Sequence, residues 1–200
     1  MIAAVWALAG LLGAPPKLLV NAQVETRSAS GGLESVFRPL LTAQPQPAWI
    51  GYEVPLARGF NPGCDYVSPN GSTAPGVIHL EPPDHALILF HIESGAVTRI
   101  RTISPDCEID ARGVPVHWLD DVRAADSTAL LQSFVRDSKN ETIRESAVTA
   151  LAASDDPSAI DFLISLARQD KNDRIRRRSV ETLARSKSPR AQAFLQDVLK

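Results

Sequence analysis

Histidines are among the side chains best suited to chemistry in this chain of 200 residues, but their spacing fits no common metal site. The four histidines are His79, His85, His91 and His117. The first three are six residues apart and fall in different predicted elements, whereas zinc ligands usually lie three or four residues apart on a helix or beside cysteines. We therefore predict no metal site and no cofactor.

The motifs of common catalytic and nucleotide-binding sites are also missing from the sequence. The chain contains no Gly-x-Ser-x-Gly elbow, no phosphate-binding loop and no dinucleotide fingerprint. The pair Asp120 and Asp121 could serve acid–base chemistry. It follows Trp118 at a predicted domain boundary, however, where a solvated turn or a helix start is the commoner explanation. The sequence therefore favours a protein that is not an enzyme.

Four arginines near the C-terminus could bind a partner. This arginine cluster consists of Arg174, Arg177, Arg178 and Arg185. Because its members are mostly three or four positions apart, they should share one side of a helix. Carboxylates or phosphates could dock on such a side. The alternative is a solvated face that pairs with Asp170 and Asp173.

The overall composition is that of an ordinary soluble protein and does not point to nucleic acid. The chain carries 21 Lys and Arg against 23 Asp and Glu, a net charge of −2, and 44% of its residues are hydrophobic. A strongly basic balance, which nucleic-acid binding usually requires, is absent from the sequence. We predict an unidentified protein as the partner and no nucleic acid.

An internal repeat occupies the C-terminal third of the sequence. Residues 140–168 and 172–200 align at an offset of 32 without a gap and are identical at 11 of 29 positions. Apolar residues recur at helical spacing in two stretches of each unit, which predicts two helices per unit. The predicted N-caps are Asn140, Asp156, Asn172 and Ser188. Residues 127–135 align with the second helix only, so we expect the preceding domain to replace the missing first helix.

These units resemble the HEAT repeat class, and specifically the short variant called phycobilisome-lyase-type. The resemblance rests on the pattern Ile-Arg, Ala/Ser-Val, Leu-Ala in the first helix and Asp/Ser-Pro, Ala, Phe-Leu in the second. It implies an all-α solenoid over about residues 127–200 that acts as an interaction scaffold. A minority of similar proteins serve as chromophore lyases or their partners, but the fold alone does not assign that activity.

Residues 31–122 have a different character and predict a small α+β domain with an antiparallel sheet. We predict a helix at 33–41 and strands at 49–54, 77–80, 86–92 and 96–103, with 114–119 as a further strand or a turn. Ser94 and Gly95 should form a hairpin turn. Alternation in the strand 96–103 places Val97 with Arg99, Arg101 and Ile103 on one side, so one face of the sheet should be wet.

The N-terminus suggests export, with an N-terminal anchor or a buried helix as the alternative. Residues 1–14 are apolar, too short for a comfortable membrane span and of the right length for a signal peptide that would be cleaved after Ala22. No stable membrane span would remain after that cleavage. In an oxidising compartment, Cys64 and Cys107 would form a disulfide, since both lie in turn-like contexts. Two unrelated free thiols in a cytoplasmic protein are the alternative.

The sequence thus predicts an exported protein, periplasmic or secreted, with a signal peptide at 1–22, an α+β domain at 31–122 and HEAT-like repeats at 123–200. The apolar residues Phe194, Leu195, Val198 and Leu199 lack a polar capping unit, so we expect a longer array or binding of another molecule, such as self-association, through that end. A lyase-like enzyme or enzyme accessory is one rival, which a pocket gathering His79, His91 and aspartates would favour. An envelope ligand sensor is the other, which an apolar ligand-sized cavity would favour.

Overall fold

The computed structural model describes residues 15–17, 19–43, 46–64 and 83–198. In this part of the chain, strands dominate up to Asp120 and helices follow. The elements are β1 Leu19–Val20, β2 Gln23–Ser28, α1 Leu33–Ala43, β3 Ala48–Pro55, β4 His85–Glu93, β5 Ala96–Ile103, β6 Ile109–Asp110, β7 Pro115–Asp120, α2 Ala124–Asp137, α3 Glu141–Ala153, α4 Pro157–Gln169, α5 Asp173–Arg185 and α6 Pro189–Val198.

The main sheet has five strands in the order β2-β7-β3-β4-β5. Strands β3, β4 and β5 are antiparallel, as predicted, whereas β7 lies between β2 and β3 and is parallel to both. The sheet is therefore mixed and not wholly antiparallel. Strand β2 was not predicted, because its sequence QVETRS has one strongly apolar residue and no alternating pattern.

The hairpin of β4 and β5 turns at Ser94 and Gly95, whose φ angles are +52° and +73°. These positive values at both central positions are typical of a tight hairpin turn. A β-bulge in this hairpin lets Ile92 face Val97 while His91 faces Arg99. Because one residue is skipped, Val97 packs against the same core as Ile100. The prediction that placed Val97 with Arg99 is therefore wrong.

The sheet face turned away from the helices is also covered, so the expectation of a wet face is wrong. It carries a second apolar cluster, built from Leu87, Leu89, Ile103, Cys107 and Trp118. Strands β1 and β6 form a short parallel pair beside this cluster. A Cβ atom at Gly51 would lie 2.5 Å from the Leu89 side chain and 2.9 Å from the Trp118 ring. Position 51 therefore requires glycine, because the two neighbouring side chains leave no room for a Cβ atom.

The helices begin where the sequence predicts. The Asn140 side chain accepts hydrogen bonds from the backbone amides of Thr142 (3.0 Å) and Ile143. Asp156 and Asn172 cap α4 and α5 in the same way. Each cap satisfies an amide that has no partner within its own helix. Helix α6 begins at Pro189, directly after the predicted cap Ser188.

The sheet and the helical stack share one hydrophobic core. Phe37 of α1 makes edge contacts with Phe90 of β4 and Phe134 of α2, at centroid distances of 4.9 and 5.9 Å. The Tyr52 hydroxyl lies 3.0 Å from the Ser127 hydroxyl in the buried interior. Helix α1 and the sheet thus occupy the place of the missing first helix, as the repeat pattern predicts.

Several predicted features lie outside the described residues: residues 1–14 of the predicted signal peptide, the strand at 77–80, His79, and the last residues 199 and 200. No helix in the described part of the chain is long and apolar enough to span a membrane.

Candidate partner-binding cleft

A polar cleft of about 420 Å³ lies between the sheet and the helical stack. Its walls come from strand β5, the segment 59–62 that follows β3, and helices α3 and α5. The residues that the strand and the helices contribute to the lining include Ile100, Thr102, Ser146, Thr149, Arg178 and Arg185. Segments distant in sequence meet here because the backbone beyond β3 is tied to the stack: the Ala57 amide donates to the Ala153 carbonyl (2.9 Å).

The amphipathic pattern of α5 directs its arginines outward. Ile175, Ser179 and Leu183 are buried on the inner side of this helix. Arg178 and Arg185 are seven positions apart, which is close to two helical turns, so both reach the same wall of the cleft. The structure thus brings two members of the predicted arginine cluster into one site.

Arg174 points elsewhere and joins the two repeat units. Its guanidinium lies 2.8 Å from a carboxylate oxygen of Glu141 and 2.8 Å from one of Glu145, both on α3. These pairs neutralise Arg174 and fix α5 against α3. Its role in the structure is therefore a contact between repeats, and it does not line the cleft.

The remaining members of the cluster differ in their partners. Arg178 lies 3.4 Å from Glu181, one turn along the same helix. Arg177 and Arg185 make no hydrogen bond or ion pair within the described part of the chain, and both are exposed. Arg177 borders a shallow depression next to the cleft, which is also lined by Arg174, Arg178, Glu145 and Glu181. Two unneutralised cations therefore stand at the cleft and at its rim.

The alternative, a solvated face, is correct for Arg177 and Arg185 in that both are exposed, but the described part of the chain shows no pairing of the cluster with Asp170 or Asp173. Asp170 is bonded by Arg144, whose Nη2 lies 2.7 Å from Asp170 Oδ2, and Arg144 Nε donates to the Val135 carbonyl (2.7 Å). Arg176, the repeat equivalent of Arg144, donates to the Asp170 carbonyl and pairs with Asp173. The recurring arginines thus bond the ends of helices and the loops that follow them.

A second repeating contact, which the sequence analysis missed, covers the aromatic residues of the stack. The Arg136 guanidinium lies 4.9 Å from the centroid of the Phe162 ring, and that of Arg168 lies 5.3 Å from the Phe194 ring. The spacing of 32 residues between the two arginines was the available signal. Phe194 is buried, in contrast to the expected apolar end, whereas Val198 is 60% exposed.

The described histidines lie apart from the cleft. His85 and His91 both belong to β4, so the prediction that they lie in different elements is wrong. His91 Nδ1 lies 2.7 Å from the Thr98 hydroxyl, and His85 pairs with Asp84. His117 on β7 is buried, and this burial lowers its pKa. Among the described residues, no group of His, Cys, Asp and Glu has an arrangement that could hold a metal ion.

The acidic pair at the end of β7 is divided between the interior and a turn. Asp120 is the last residue of the strand and is buried, contrary to the expectation of a solvated turn, and this burial raises its pKa. Asp121 accepts a hydrogen bond from the Ser28 hydroxyl at 2.7 Å. The pair therefore ends a strand and holds β2 in place.

A disulfide fixes one wall of the cleft. Cys64 and Cys107 are bonded, with their Cα atoms 5.5 Å apart, as the sequence predicts for an oxidised chain. The adjacent Gly63 carbonyl accepts a hydrogen bond from the Ser104 amide at 3.0 Å. The segment 59–62 is thereby anchored at its end to the residues that follow β5.

An apolar cavity behind the sheet measures about 70 Å³, well below the roughly 300 Å³ at which small-molecule sites begin.

The fold defines a helical-repeat protein of the kind that presents a surface to other molecules. The family sequence model for HEAT repeats matches residues 103–182 and, in a second alignment, residues 127–200. The helical part of this chain therefore belongs to the HEAT-repeat family, which is typically non-catalytic and commonly mediates protein interactions. Comparison with curated proteins and with solved structures gave no match.

Proposed function

We propose that this protein is a non-catalytic scaffold that binds a protein partner on the side of the stack where α5 meets the sheet. The observation that carries the proposal is two exposed arginines that have no ion-pair partner among the described residues: Arg185, which lines a polar cleft, and Arg177, which lines the depression beside it. Unneutralised cations on a rigid surface favour a partner of complementary charge. The shared core holds the two walls of the cleft in a fixed relation, which lowers the entropic cost of binding.

A photo-crosslinking residue incorporated into the full chain tests this proposal. Replacing Glu181, which borders both the cleft and the depression beside it, with a photoreactive amino acid keeps every arginine in place. Lys139, an exposed residue in the turn between α2 and α3, provides the control position. Irradiation in cells of the source organism should give a discrete protein adduct from position 181 and none from position 139. Equal adducts from both positions, or none from either, would refute a binding surface on α5.

We further propose that the protein is exported to the cell envelope or secreted, with cleavage after Ala22. The apolar residues 1–14 and the disulfide support this proposal. Gln23 is the first residue of β2, so the cleavage would leave that strand complete and remove β1, which pairs with β6.

The mass of the mature protein tests export. The full-length gene is expressed in a bacterial host with its N-terminus intact, and the product is recovered by cell fraction, with and without reductant. We expect loss of residues 1–22 together with a mass deficit of two hydrogens that reductant restores. An intact cytosolic chain with two free thiols would contradict both export and an oxidised pair.

A further inference from the structure

We propose that the cleft binds an extended acidic peptide segment of the partner, with glutamates or aspartates at alternate positions. This inference rests on the proposed scaffold function and adds the site and the chemistry of the bound segment. It follows from the charge, the spacing and the polarity of the cleft walls.

The charge on the α5 wall favours carboxylates. Arg178 and Arg185 both line the cleft, and Glu181 is the acidic residue on that wall. Because Glu181 already lies 3.4 Å from Arg178, the guanidinium of Arg185 remains without an anionic partner in the described part of the chain. An arginine in this state can form short bidentate bonds to a carboxylate.

The spacing of the arginines suits an extended peptide. Seven residues of α-helix separate the Cα atoms of Arg178 and Arg185 by about 10 Å. Alternate side chains of an extended peptide point to the same side and recur about every 7 Å. Arginine side chains are long enough to take up the difference, so one carboxylate can meet Arg185 while the next alternate one meets Arg178. The 3.4 Å pair of Arg178 with Glu181 involves two partly exposed side chains and one of the five guanidinium donors, so the other donors remain available.

The other walls offer polar groups to a peptide backbone. Thr102 comes from β5, and Ser146 and Thr149 come from α3. Strand β5 is the last strand of the sheet in the described part of the chain, and an extended peptide can lie along such an edge. Small-molecule sites are mostly apolar with few polar groups, so the polarity of this cleft favours a peptide.

The segment that forms the remaining wall is held in place before a ligand arrives. Phe60 packs against the shared core, and the preceding Ala57 amide donates to the Ala153 carbonyl at 2.9 Å. The Cys64–Cys107 bond fixes the other end of this segment. A wall anchored at both ends loses little freedom on binding.

Fluorescence anisotropy with a labelled octapeptide of alternating glutamate and serine tests the inference on the full chain. The matched probe replaces each glutamate with glutamine. We expect the acidic peptide to bind, the glutamine peptide to bind at least about tenfold more weakly, and the acidic complex to weaken as salt is added. Arg185→Glu and Arg178→Glu should each weaken binding about tenfold or more, because both reverse a charge at the cleft.

Lys139→Glu is the matched control, since it makes the same charge change on an exposed residue away from the cleft. It should bind within about twofold of the unaltered protein. Arg185→Gln keeps the inference testable if a charge reversal unfolds the chain, and it should weaken binding in the same direction. A DNA oligonucleotide of equal charge should compete poorly.

Equal binding of the acidic and glutamine peptides, an equal loss in Lys139→Glu, or full competition by DNA would overturn the inference. In the last two cases the attraction would come from general charge and not from this cleft. If position 181 still crosslinks a partner while the acidic peptide does not bind, the scaffold function stands and the acidic segment is wrong.

Discussion

Replacement of Arg144 by alanine should destabilise the protein far more than replacement of a similar arginine on the surface. Arg144 donates to the Val135 carbonyl and to Asp170, both at 2.7 Å, and the side chains of Arg144 and Asp170 are only 19% and 11% exposed. Arg144→Ala leaves a partly buried carboxylate and a carbonyl without these bonds. Bonds to charged groups contribute roughly 1.5–3 kcal/mol each, so two would give about 3–6 kcal/mol. Because both side chains keep some exposure, water can replace part of the lost bonding, and we expect a loss of about 2–4 kcal/mol.

The chain contains a closely matched control. Arg190 also reaches an aspartate of the neighbouring repeat unit, Asp161, at the same 2.7 Å, but the two side chains are 63% and 51% exposed. Exposed ion pairs contribute roughly 0–1 kcal/mol, so Arg190→Ala should have a small effect. The residue types and the ion-pair distance are the same in both pairs; the differences are burial and the additional bond of Arg144 to the Val135 carbonyl.

Urea denaturation followed by circular dichroism gives the free energy of unfolding for both variants by linear extrapolation. Because the sheet and helices share one core, we expect a single transition with an unchanged slope. If Arg144→Ala costs no more than Arg190→Ala, the recurring arginine does not hold the loops together and our explanation of its recurrence is wrong.

Three further changes test other parts of the structure. Gly51→Ala should cost roughly 1–3 kcal/mol through overpacking against the Trp118 ring, measurable as a lower urea midpoint. Reduction of the Cys64–Cys107 bond should lower the free energy of unfolding by about 3–4 kcal/mol, and no shift would contradict its stabilising role. Burial lowers the pKa of His117 in the folded protein, so the unfolded chain takes up a proton more readily. The free energy of unfolding should therefore be highest above the unfolded-state histidine pKa of about 6.5 and should decrease as the pH falls below it. His117→Gln should flatten that pH dependence.

Local chemistry made the helical part predictable from the sequence. Each cap depends on a side chain that bonds an amide two or three residues away, so Asn140, Asp156 and Asn172 could be identified without knowledge of the fold. The repeat offset then extended the same assignment to both units. The hairpin at Ser94 and Gly95 was predictable for the same reason, because its turn requires residues that tolerate positive φ.

Features that depend on distant segments were not predictable. Strand β2 has almost no apolar pattern and exists as a strand because its backbone pairs with β7, about 90 residues later. The bulge that moves Val97 into the core leaves no mark in the alternation of β5. A periodic pattern predicts which face of a strand a residue occupies, but it does not predict where a β-bulge reverses that assignment.

The candidate site illustrates the same limit. Helical spacing correctly grouped the arginine cluster on α5, but it could not separate Arg174, which is neutralised by α3, from Arg185, which is not. That distinction depends on which acids of the preceding repeat lie within reach. The cleft itself forms only where β5 and α5 meet, so neither segment alone reveals it.

The most direct test of a binding site at this cleft is a methyl NMR titration of the full chain with the glutamate–serine octapeptide. The methyl groups of Ile100, Thr102, Thr149 and Thr182 line the cleft and report on it from three different elements. We predict saturable shifts at these methyl groups, and none at these positions with the glutamine peptide. Shifts confined to α4 and α6, or no shifts with either peptide, would contradict a binding site between the sheet and α5.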